Sequence, residues 1–242
     1  MEIKKEVLLR YLKGTSMTGG ASLNECVINF NEDGLQIQAT SGVDAINICS
    51  TLSKDAFETY VPIEKVGIGE VSSLINAIAW GNDYVTIERE PGILILRSRD
   101  NLETTKYNRV FHYSTKGIEY ITNELEKFNT KTGTVEFDID ADKLHGFFDR
   151  IGLVGGSYID LTVTDNELLM KAKGHHGIME TIEIEGLAGN LSVRFGKMLT
   201  EAVRQLKGNI HIRLIENFPI QIENKDEHMS IRLIVAPTTI EE

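Results

Sequence analysis

Two short motifs carry residue types that could do chemistry. GIGEVSS at Gly67–Ser73 has the glycines of a phosphate-cradling turn before a helix, but it lacks the Lys-Ser/Thr pair of a P-loop and the third glycine of a dinucleotide site. His175 and His176 are adjacent between predicted strands, where neighbouring side chains point to opposite faces and do not suit one metal ion, although a turn would leave that site open. No Gly-x-Ser-x-Gly elbow or His-Glu-x-x-His motif is present. The sequence therefore predicts no catalytic residue, metal site or cofactor. An enzyme is the main alternative to this prediction of a non-catalytic protein.

The composition excludes several classes of protein. A length of 242 residues allows one large domain or two modest ones, and 41% hydrophobic with 25% charged residues is an ordinary globular mixture. No apolar run approaches the roughly 18–20 residues of a membrane helix, and the charged N-terminus does not have the pattern of a secretory signal. The two cysteines, Cys26 and Cys49, lie in predicted strand interiors, which indicates buried thiols in a reducing compartment.

The net charge restricts a role in binding nucleic acid. The chain has 25 Lys and Arg against 36 Asp and Glu, a formal net charge of −11. Proteins that bind a duplex by neutralising phosphates usually carry a basic surplus. A nucleic-acid role would therefore need the cations gathered on one face and the acidic excess elsewhere.

Two pairs of segments repeat in the same order along the chain. Ile28–Ala39 aligns with Leu161–Ala172, and both alternate apolar and polar residues around a turn, which predicts a hairpin with one buried face. Val66–Glu88 aligns with Val193–Ile215 at a similar offset, with glycines at matching positions. The sequence therefore predicts an internal duplication.

Each half has the same predicted order of elements. An amphipathic helix (Val7–Lys13 or Asp142–Ile151) precedes three strands, a second short helix (Val71–Trp80 or Lys197–Leu206) and three closing strands. The closing strands are Tyr84–Arg89, Ile93–Arg97 and Glu103–Phe111 in the first half, and Ile210–Ile215, Ile220–Glu223 and Ser230–Val235 in the second. The polar stretch between the halves, 114–133, is predicted to be a linker.

Three of the four predicted helices expose at least two cations opposite their apolar stripe. These cations are Arg10, Lys13, Lys143, Arg150, Lys197, Arg204 and Lys207. In the last helix, Thr200 is predicted on the same exposed side, opposite Leu199, Ala202, Val203 and Leu206. The helix Val71–Trp80 exposes Ser72, Ser73 and Asn76 and has no basic residue. For any single helix, an ordinary solvent-exposed surface explains the cations. Because the cations recur on several helices of a duplicated unit, a functional surface is an equal alternative.

Four further segments point to a known family. NEDGLQIQAT (Asn31–Thr40) has a strand-turn-strand pattern, DAFETY (Asp55–Tyr60) has Phe-x-x-Tyr, and ENFPIQIE (Glu216–Glu223) has a proline before a strand. IRLIVAPTTIEE (Ile231–Glu242) has a final strand, Ala-Pro and an acidic tail. In this order and spacing they resemble the sliding clamps of the proliferating cell nuclear antigen (PCNA) family of archaea and eukaryotes. With the length and the repeat, the resemblance covers the whole chain.

The resemblance implies an α+β fold of two similar clamp domains, 1–113 and 134–242, joined by a connector at 114–133. It implies a trimeric ring with antiparallel sheets outside and four short helices lining the inner face, through which duplex DNA passes. The partners would be DNA polymerase, clamp loader, flap nuclease and ligase, each docking through a short peptide motif. The expected compartment is the cytoplasm of an archaeal or viral host cell, or a eukaryotic nucleus.

The resemblance also implies three sets of site residues. The seven helix cations would face DNA loosely, through water and at long range. The partner-peptide site would contain Thr40, Ser41, Ile46, Leu125, Pro219, Ile234, Val235, Ala236 and Pro237. The subunit interface would pair Lys106 and Arg109 on one strand edge with Glu180 and Glu183 on another, formed by Gly177–Ile184.

Departures from the family pattern favour a divergent or viral member. They are the loop at 40–45, the connector without its apolar-proline character, and the second helix without cations. Two further interpretations stay open: one subunit of a heterotrimeric clamp, and a non-catalytic interaction scaffold that encloses no DNA.

Overall fold

The computed structural model describes most of the two predicted halves. The described residues are 1–16, 26–40, 46–79, 81, 83–90, 93–98, 104–107, 110–111 and 135–238. The predicted connector at 114–133 lies outside them, and so do the site residues Ser41, Arg109 and Leu125.

Four α-helices lie in this described part. They are α1 (Lys5–Ser16), α2 (Val71–Ala79), α3 (Ala141–Ile151) and α4 (Met198–Val203), and a 3₁₀ turn covers Lys54–Ala56. The apolar stripe predicted for α3 is confirmed, because its spacing of three and four residues places Leu144, Phe147, Phe148 and Ile151 on one buried face. Asp140 caps this helix by accepting a hydrogen bond from the Asp142 backbone N–H at 3.0 Å.

Two predictions about helix α4 are wrong. It ends at Val203 instead of Leu206, because the chain tightens into a turn where the Leu206 N–H donates to the Val203 carbonyl at 3.0 Å. Thr200, predicted to be exposed, is 6% exposed. The helix packs against α3 and two strands at once, so its buried face is wider than the apolar stripe alone.

Eighteen strands are present in the described residues. The first half contains β1 (Glu2–Lys4), β2 (Cys26–Asn31), β3 (Gly34–Thr40), β4 (Ile46–Ser53), β5 (Phe57–Thr59), β6 (Val66–Ile68), β7 (Tyr84–Glu90), β8 (Ile93–Ser98), β9 (Thr104–Tyr107) and β10 (Val110–Phe111). The second half contains β11 (Val135–Asp140), β12 (Tyr158–Thr164), β13 (Glu167–Lys173), β14 (Gly177–Glu183), β15 (Leu191–Gly196), β16 (Asn209–Leu214), β17 (Ile220–Lys225) and β18 (Met229–Val235).

Two strand predictions are wrong. Five strands (β2–β6) and four strands (β12–β15) lie between the paired helices, where the sequence predicts three in each half. The predicted strand Glu103–Phe111 is two strands in different sheets: β9 pairs with β8, whereas β10 pairs with β6. A continuous run of strand-forming residues does not reveal that the chain crosses from one sheet to another.

The sheets repeat between the halves, which confirms the predicted α+β fold of two similar domains. The order β6-β2-β3-β4 in the first half corresponds to β15-β12-β13-β14 in the second. Likewise, β1-β7-β8-β9 corresponds to β11-β16-β17-β18. Strands β5 and β10 are additions that have no counterpart in the described second half. All pairings in these sheets are antiparallel.

The two halves join through one strand pair, which we call the seam. Strands β4 and β18 pair antiparallel from Leu52 opposite Met229 to Ile46 opposite Val235. The pairing merges one sheet of each half into a continuous nine-stranded sheet, β10-β6-β2-β3-β4-β18-β17-β16-β11. The seam thus joins the third strand after the first helix of one domain to the last strand of the other.

Tyr11 fixes helix α1 to the strands beside the seam. Its side chain is fully buried, and its hydroxyl donates to the Ser50 carbonyl at 3.0 Å and accepts from the Ile37 N–H at 3.1 Å. Ile37 and Ser50 lie opposite each other on β3 and β4, so the hydroxyl bridges the two strands. This contact sets the position of the helix relative to the seam.

Candidate functional site

The predicted DNA-facing cations all lie on exposed parts of the helices and their ends. Helix α1 packs against α2, and α3 packs against α4, so each domain presents one helix pair. The exposed cations are Arg10 and Lys13 on α1, Lys143 and Arg150 on α3, and Lys197, Arg204 and Lys207 around α4. Helix α2 contributes exposed Ser72 and Asn76 and no cation.

The three arginines of this set are paired with carboxylates of the same chain. Arg10 Nη2 lies 2.6 Å from Asp226 Oδ2, which joins α1 to the turn between β17 and β18 in the other half. Arg204 Nε lies 3.1 Å from Asp149 Oδ1. Arg150 pairs with Glu180 on β14 and also donates to the Gly146 carbonyl at 2.8 Å. Each guanidinium charge is therefore largely balanced locally.

Three lysines of the set differ from these arginines. Lys143, Lys197 and Lys207 form no ion pair with any residue in the described ranges. All three belong to the second half of the chain. The α3–α4 pair therefore carries three lysines without a described carboxylate partner, which the sequence alone did not predict.

The described residues of the predicted peptide site meet at one end of the seam. Ile46 lies opposite Val235, and Thr40 lies beside them at the end of β3. Ile46 and Val235 are fully buried in the main core, so their side chains are not offered to solvent. Thr40, Pro219, Ala236 and Pro237 are half-buried.

Ile234 occupies a second, small apolar cluster at this end of the molecule. It is 3% exposed and packs with Ile215 and Phe218, apart from the main core. Pro219 follows Phe218 directly in sequence. The half-buried residues of the predicted peptide site therefore lie around this small apolar cluster, on the sheet face opposite the main core.

The contact between Pro237–Thr238 and β15 is not predictable from the sequence. The Thr238 N–H donates to the Arg194 carbonyl at 2.8 Å, and Pro237 forms a bridge with Phe195. Arg194 in turn holds Asp160 through two hydrogen bonds of 2.6 and 2.9 Å. No local pattern signals these contacts, because the partners are far apart in sequence.

The predicted subunit edges lie at the ends of two sheets. Strand β9, which carries Lys106, is the last strand of the five-stranded sheet β5-β1-β7-β8-β9. Strand β14 is the outermost strand of the sheet β14-β13-β12-β15. Glu180 and Glu183 are three residues apart on β14 and so lie on opposite faces. Glu183 is exposed, whereas Glu180 is paired with Arg150.

The described residues contain no cluster of three His, Cys, Asp or Glu side chains suited to a metal ion. His175 and His176 lie exposed in the turn between β13 and β14, which is the alternative that the sequence left open. Burial raises the pKa of Cys26 to about 12 and is the main cause that raises the pKa of Cys49, so neither thiol has the lowered pKa of a reactive cysteine. None of the helices in these ranges is long and apolar enough to cross a membrane.

Solved structures of PCNA match this chain over nearly its whole length. PCNA from Entamoeba histolytica gives a TM-score of 0.77 at 12% identity, covering 98% of each chain. A. fulgidus PCNA with the C-terminal region of FEN-1 bound gives 0.76 at 14% identity, covering 100% of this chain and 98% of that one. The PCNA2–PCNA3 complex from Sulfolobus tokodaii gives 0.72 at 16%, covering 98% and 99%. No family model and no curated protein matches the sequence. The repeated sheets, the seam and these likenesses together show that the chain has the fold of a PCNA-type sliding clamp.

Proposed function

We propose that this chain is a subunit of a DNA sliding clamp and processivity factor. In this proposal, residues 1–113 and 134–242 form two clamp domains, and 114–133 connects them. Three copies close into a ring around duplex DNA, which an ATP-driven loader opens. The chain performs no chemistry and tethers replication and repair enzymes to the DNA.

The seam is the observation that carries the proposal. By the repeat, β14 is the counterpart of β4, and β9 is the counterpart of β18. Strands β4 and β18 pair inside the chain, whereas β14 and β9 are outer strands of their sheets. Pairing β14 of one copy with β9 of the next would repeat the seam between molecules. Such a head-to-tail contact generates a ring when its rotation closes.

The charge on the helix pairs supports enclosure without tight binding. Three copies at −11 each repel a duplex overall, and only a few exposed lysines attract it. A closed ring is retained by its topology instead of by its affinity. Because none of the proposed contacts reads a base, the ring would slide along any sequence.

Docking at the end of the seam would supply the tethering. A. fulgidus PCNA is solved with the C-terminal region of FEN-1 bound, and we propose that this chain holds comparable partner peptides near Thr40, Pro219, Ala236 and Pro237. One site on each subunit gives a trimer three docking points. Tethering raises the effective concentration of each bound enzyme at the DNA.

A mixed ring is the second candidate. The Sulfolobus tokodaii match is a complex of two different clamp subunits, PCNA2 and PCNA3. In a mixed ring, β14 and β9 of this chain would pair with edges of other subunits. The homotrimer predicts self-association of the purified chain, whereas the mixed ring predicts assembly only after its partners are added.

The deciding experiment combines mass with topology. Light scattering after size-exclusion chromatography at micromolar concentration should give three times the 27.1 kDa of one chain. Rings loaded on a nicked circular plasmid should stay bound in high salt and leave when the plasmid is cut once. A monomer alone rules out the homotrimer, and equal retention on linear and circular DNA rules out enclosure.

A charge exchange tests the proposed edges. Glu183→Lys on β14 and Lys106→Glu on β9 should each lower the trimer fraction, and the double variant should restore it. Glu216→Lys makes the same charge change at an exposed position away from both edges, so it should leave the mass unchanged. Circular dichroism of each variant excludes misfolding. No restoration in the double variant would argue against this pairing.

A further inference from the structure

The outward face of the β14-β13-β12-β15 sheet combines cations with exposed apolar side chains. Two neighbouring rows cross it: Gly196, Tyr158, Lys173 and Gly177 in one, and Arg194, Asp160, Lys171 and Met179 in the other. Alternate residues of a strand share a face, and the intervening Ile159 and Ala172 are buried on the core side. We call the outward side chains of these rows the lysine face: Tyr158, Asp160, Lys171, Lys173, Met179 and Arg194.

The lysine face exposes apolar surface that the fold does not use. Tyr158 is 48% exposed and Met179 is 67% exposed, two of the four exposed large hydrophobic side chains in the described residues. The Arg194 guanidinium lies 5.8 Å from the centre of the Tyr158 ring, which places a cation beside its apolar body. Tyr158 on β12 and Met179 on β14 lie on either side of Lys171 and Lys173 on β13, so the face is a mixed apolar and cationic surface.

The charge of this face is opposite to that of the whole chain. Lys171 and Lys173 are exposed and form no ion pair with a described residue, whereas Asp160 accepts hydrogen bonds from Arg194 Nε and Nη2. The next outward carboxylates are Glu167 and its cross-strand neighbour Glu183. Glu167 is four residues from Lys171 along β13, or about 13 Å. The two rows therefore carry an unbalanced positive charge in a chain of −11.

We propose that the lysine face binds an acidic protein segment with an apolar side chain between its carboxylates. The carboxylates would meet Lys171 and Lys173, and the apolar side chain would lie between Tyr158 and Met179. A nucleic acid fits less well, because Asp160 lies within the face, Arg194 is already paired, and two lysines match few phosphates. Aromatic and methionine side chains, by contrast, are enriched in protein interfaces.

The position of this face extends the proposed docking site. Pro237 bridges to Phe195, and the Thr238 N–H bonds to the Arg194 carbonyl, so the lysine face begins where those docking residues end. To that extent the inference rests on the proposed function, since a partner held at Pro237 would continue across β15. Binding of an acidic segment by itself requires neither a ring nor DNA.

The test uses a short fluorescein-labelled peptide in which glutamates flank a phenylalanine. Its fluorescence anisotropy with the full chain should show salt-dependent binding, and the same peptide with lysines in place of the glutamates should not bind. The variant Lys171→Glu/Lys173→Glu should weaken binding about tenfold, because two attractions become repulsions. Met179→Ala should weaken it several-fold. Lys171→Gln/Lys173→Gln gives a milder change if the charge reversal disturbs folding.

The matched control is Lys54→Glu/Lys65→Glu, which makes the same charge change at two exposed lysines of the first half. Equal peptide affinity in the control and in the Lys171/Lys173 variant overturns the inference. So does absence of peptide binding at low salt, or binding of single-stranded oligothymidylate in place of the peptide. The Lys171/Lys173 variant should still form rings that stay on circular DNA. If the unmodified chain does not form rings that stay on circular DNA, that result counts against the proposed function instead.

Discussion

At the scale of single residues, the environment of each cation matters more than its exposure. The Arg204 guanidinium lies beside Asp149 and within 3.8 Å of Glu201, whereas Lys197 and Lys207 on either side of α4 form no ion pair in the described structure. A paired arginine adds little net field at the distance of a passing phosphate, while an unpaired lysine adds a full charge. DNA attraction should therefore depend on the lysines.

Two double substitutions test whether the unpaired lysines attract DNA more than the paired arginines do. Lys197→Gln/Lys207→Gln should reduce the salt dependence of binding to a short duplex. The slope of log K against log salt concentration should become less steep by roughly 0.9 for each phosphate that the protein no longer neutralises. The control Arg204→Gln/Asp149→Asn removes a cation and its carboxylate together, so the net charge and the slope should remain unchanged. Titration of fluorescent DNA across several salt concentrations measures both. Equal slopes for the lysine variant and the unmodified chain would contradict the lysine role.

The sequence predicts the exposure of the helix cations but not the ion pairs that they form. The spacing of Leu144, Phe147 and Phe148 defines the buried side of α3, and exposure of Lys143 and Arg150 follows from it. The partner of Arg10, in contrast, is Asp226 at the other end of the chain. That contact exists only because the seam brings β18 beside β4, and no local rule contains this information.

At the scale of elements, the hairpin β17–β18 holds a partly buried carboxylate near the seam. Glu223 Oε1 accepts from Lys225 Nζ at 3.1 Å and Arg232 Nη2 at 3.0 Å. Burial alone would raise the pKa of Glu223, but the hydrogen bonds from Lys225 and Arg232 outweigh burial and lower it. Arg232 lies opposite Cys49 across the seam, so the carboxylate helps to order the strand that joins the two halves.

This lowered pKa predicts an acid-sensitive element. A carboxylate whose folded pKa lies below its unfolded value stabilises the fold above the unfolded value, and that contribution is lost as the pH falls through the lower folded pKa. At neutral pH, Glu223→Gln should lower the free energy of unfolding by roughly 1–2 kcal/mol, and the difference should shrink below about pH 4. Urea denaturation at a series of pH values measures it. The control Glu227→Gln changes an exposed carboxylate in the turn of the same hairpin and should lower the free energy of unfolding at neutral pH less than Glu223→Gln does.

Elements with strong periodicity are predictable from the sequence, and elements defined by their partners are not. The alternation of Ile28–Ala39 and Leu161–Ala172 predicts hairpins, and the structure has them as β2–β3 and β12–β13. The pattern around Lys106 predicts a single strand because β-forming residues continue through it. Only the pairing of β9 with β8 and of β10 with β6 shows that this segment serves two sheets.

At the scale of the whole molecule, one type of strand contact would occur in two settings. Inside the chain, β4 and β18 form the seam, whose partners are covalently connected and always at high effective concentration. Between chains, β14 and β9 would form the equivalent contact only above the dissociation constant of the ring. The same geometry should therefore be permanent in one place and dependent on concentration in the other.

Hydrogen exchange on the intact protein distinguishes these two settings. At concentrations where the ring is assembled, the outward-facing backbone amides of β14 should exchange slowly, because β9 of the next subunit accepts their hydrogen bonds. After dilution to monomer, these amides should exchange quickly, while the amides shared by β4 and β18 stay protected. The Glu183→Lys variant should need a higher concentration than the unmodified chain to reach the protected pattern. If β14 exchanges equally fast at all concentrations of the unmodified chain, its edge is not the assembly contact. If the β4–β18 amides lose protection together with β14, the seam depends on assembly and the two contacts are not independent.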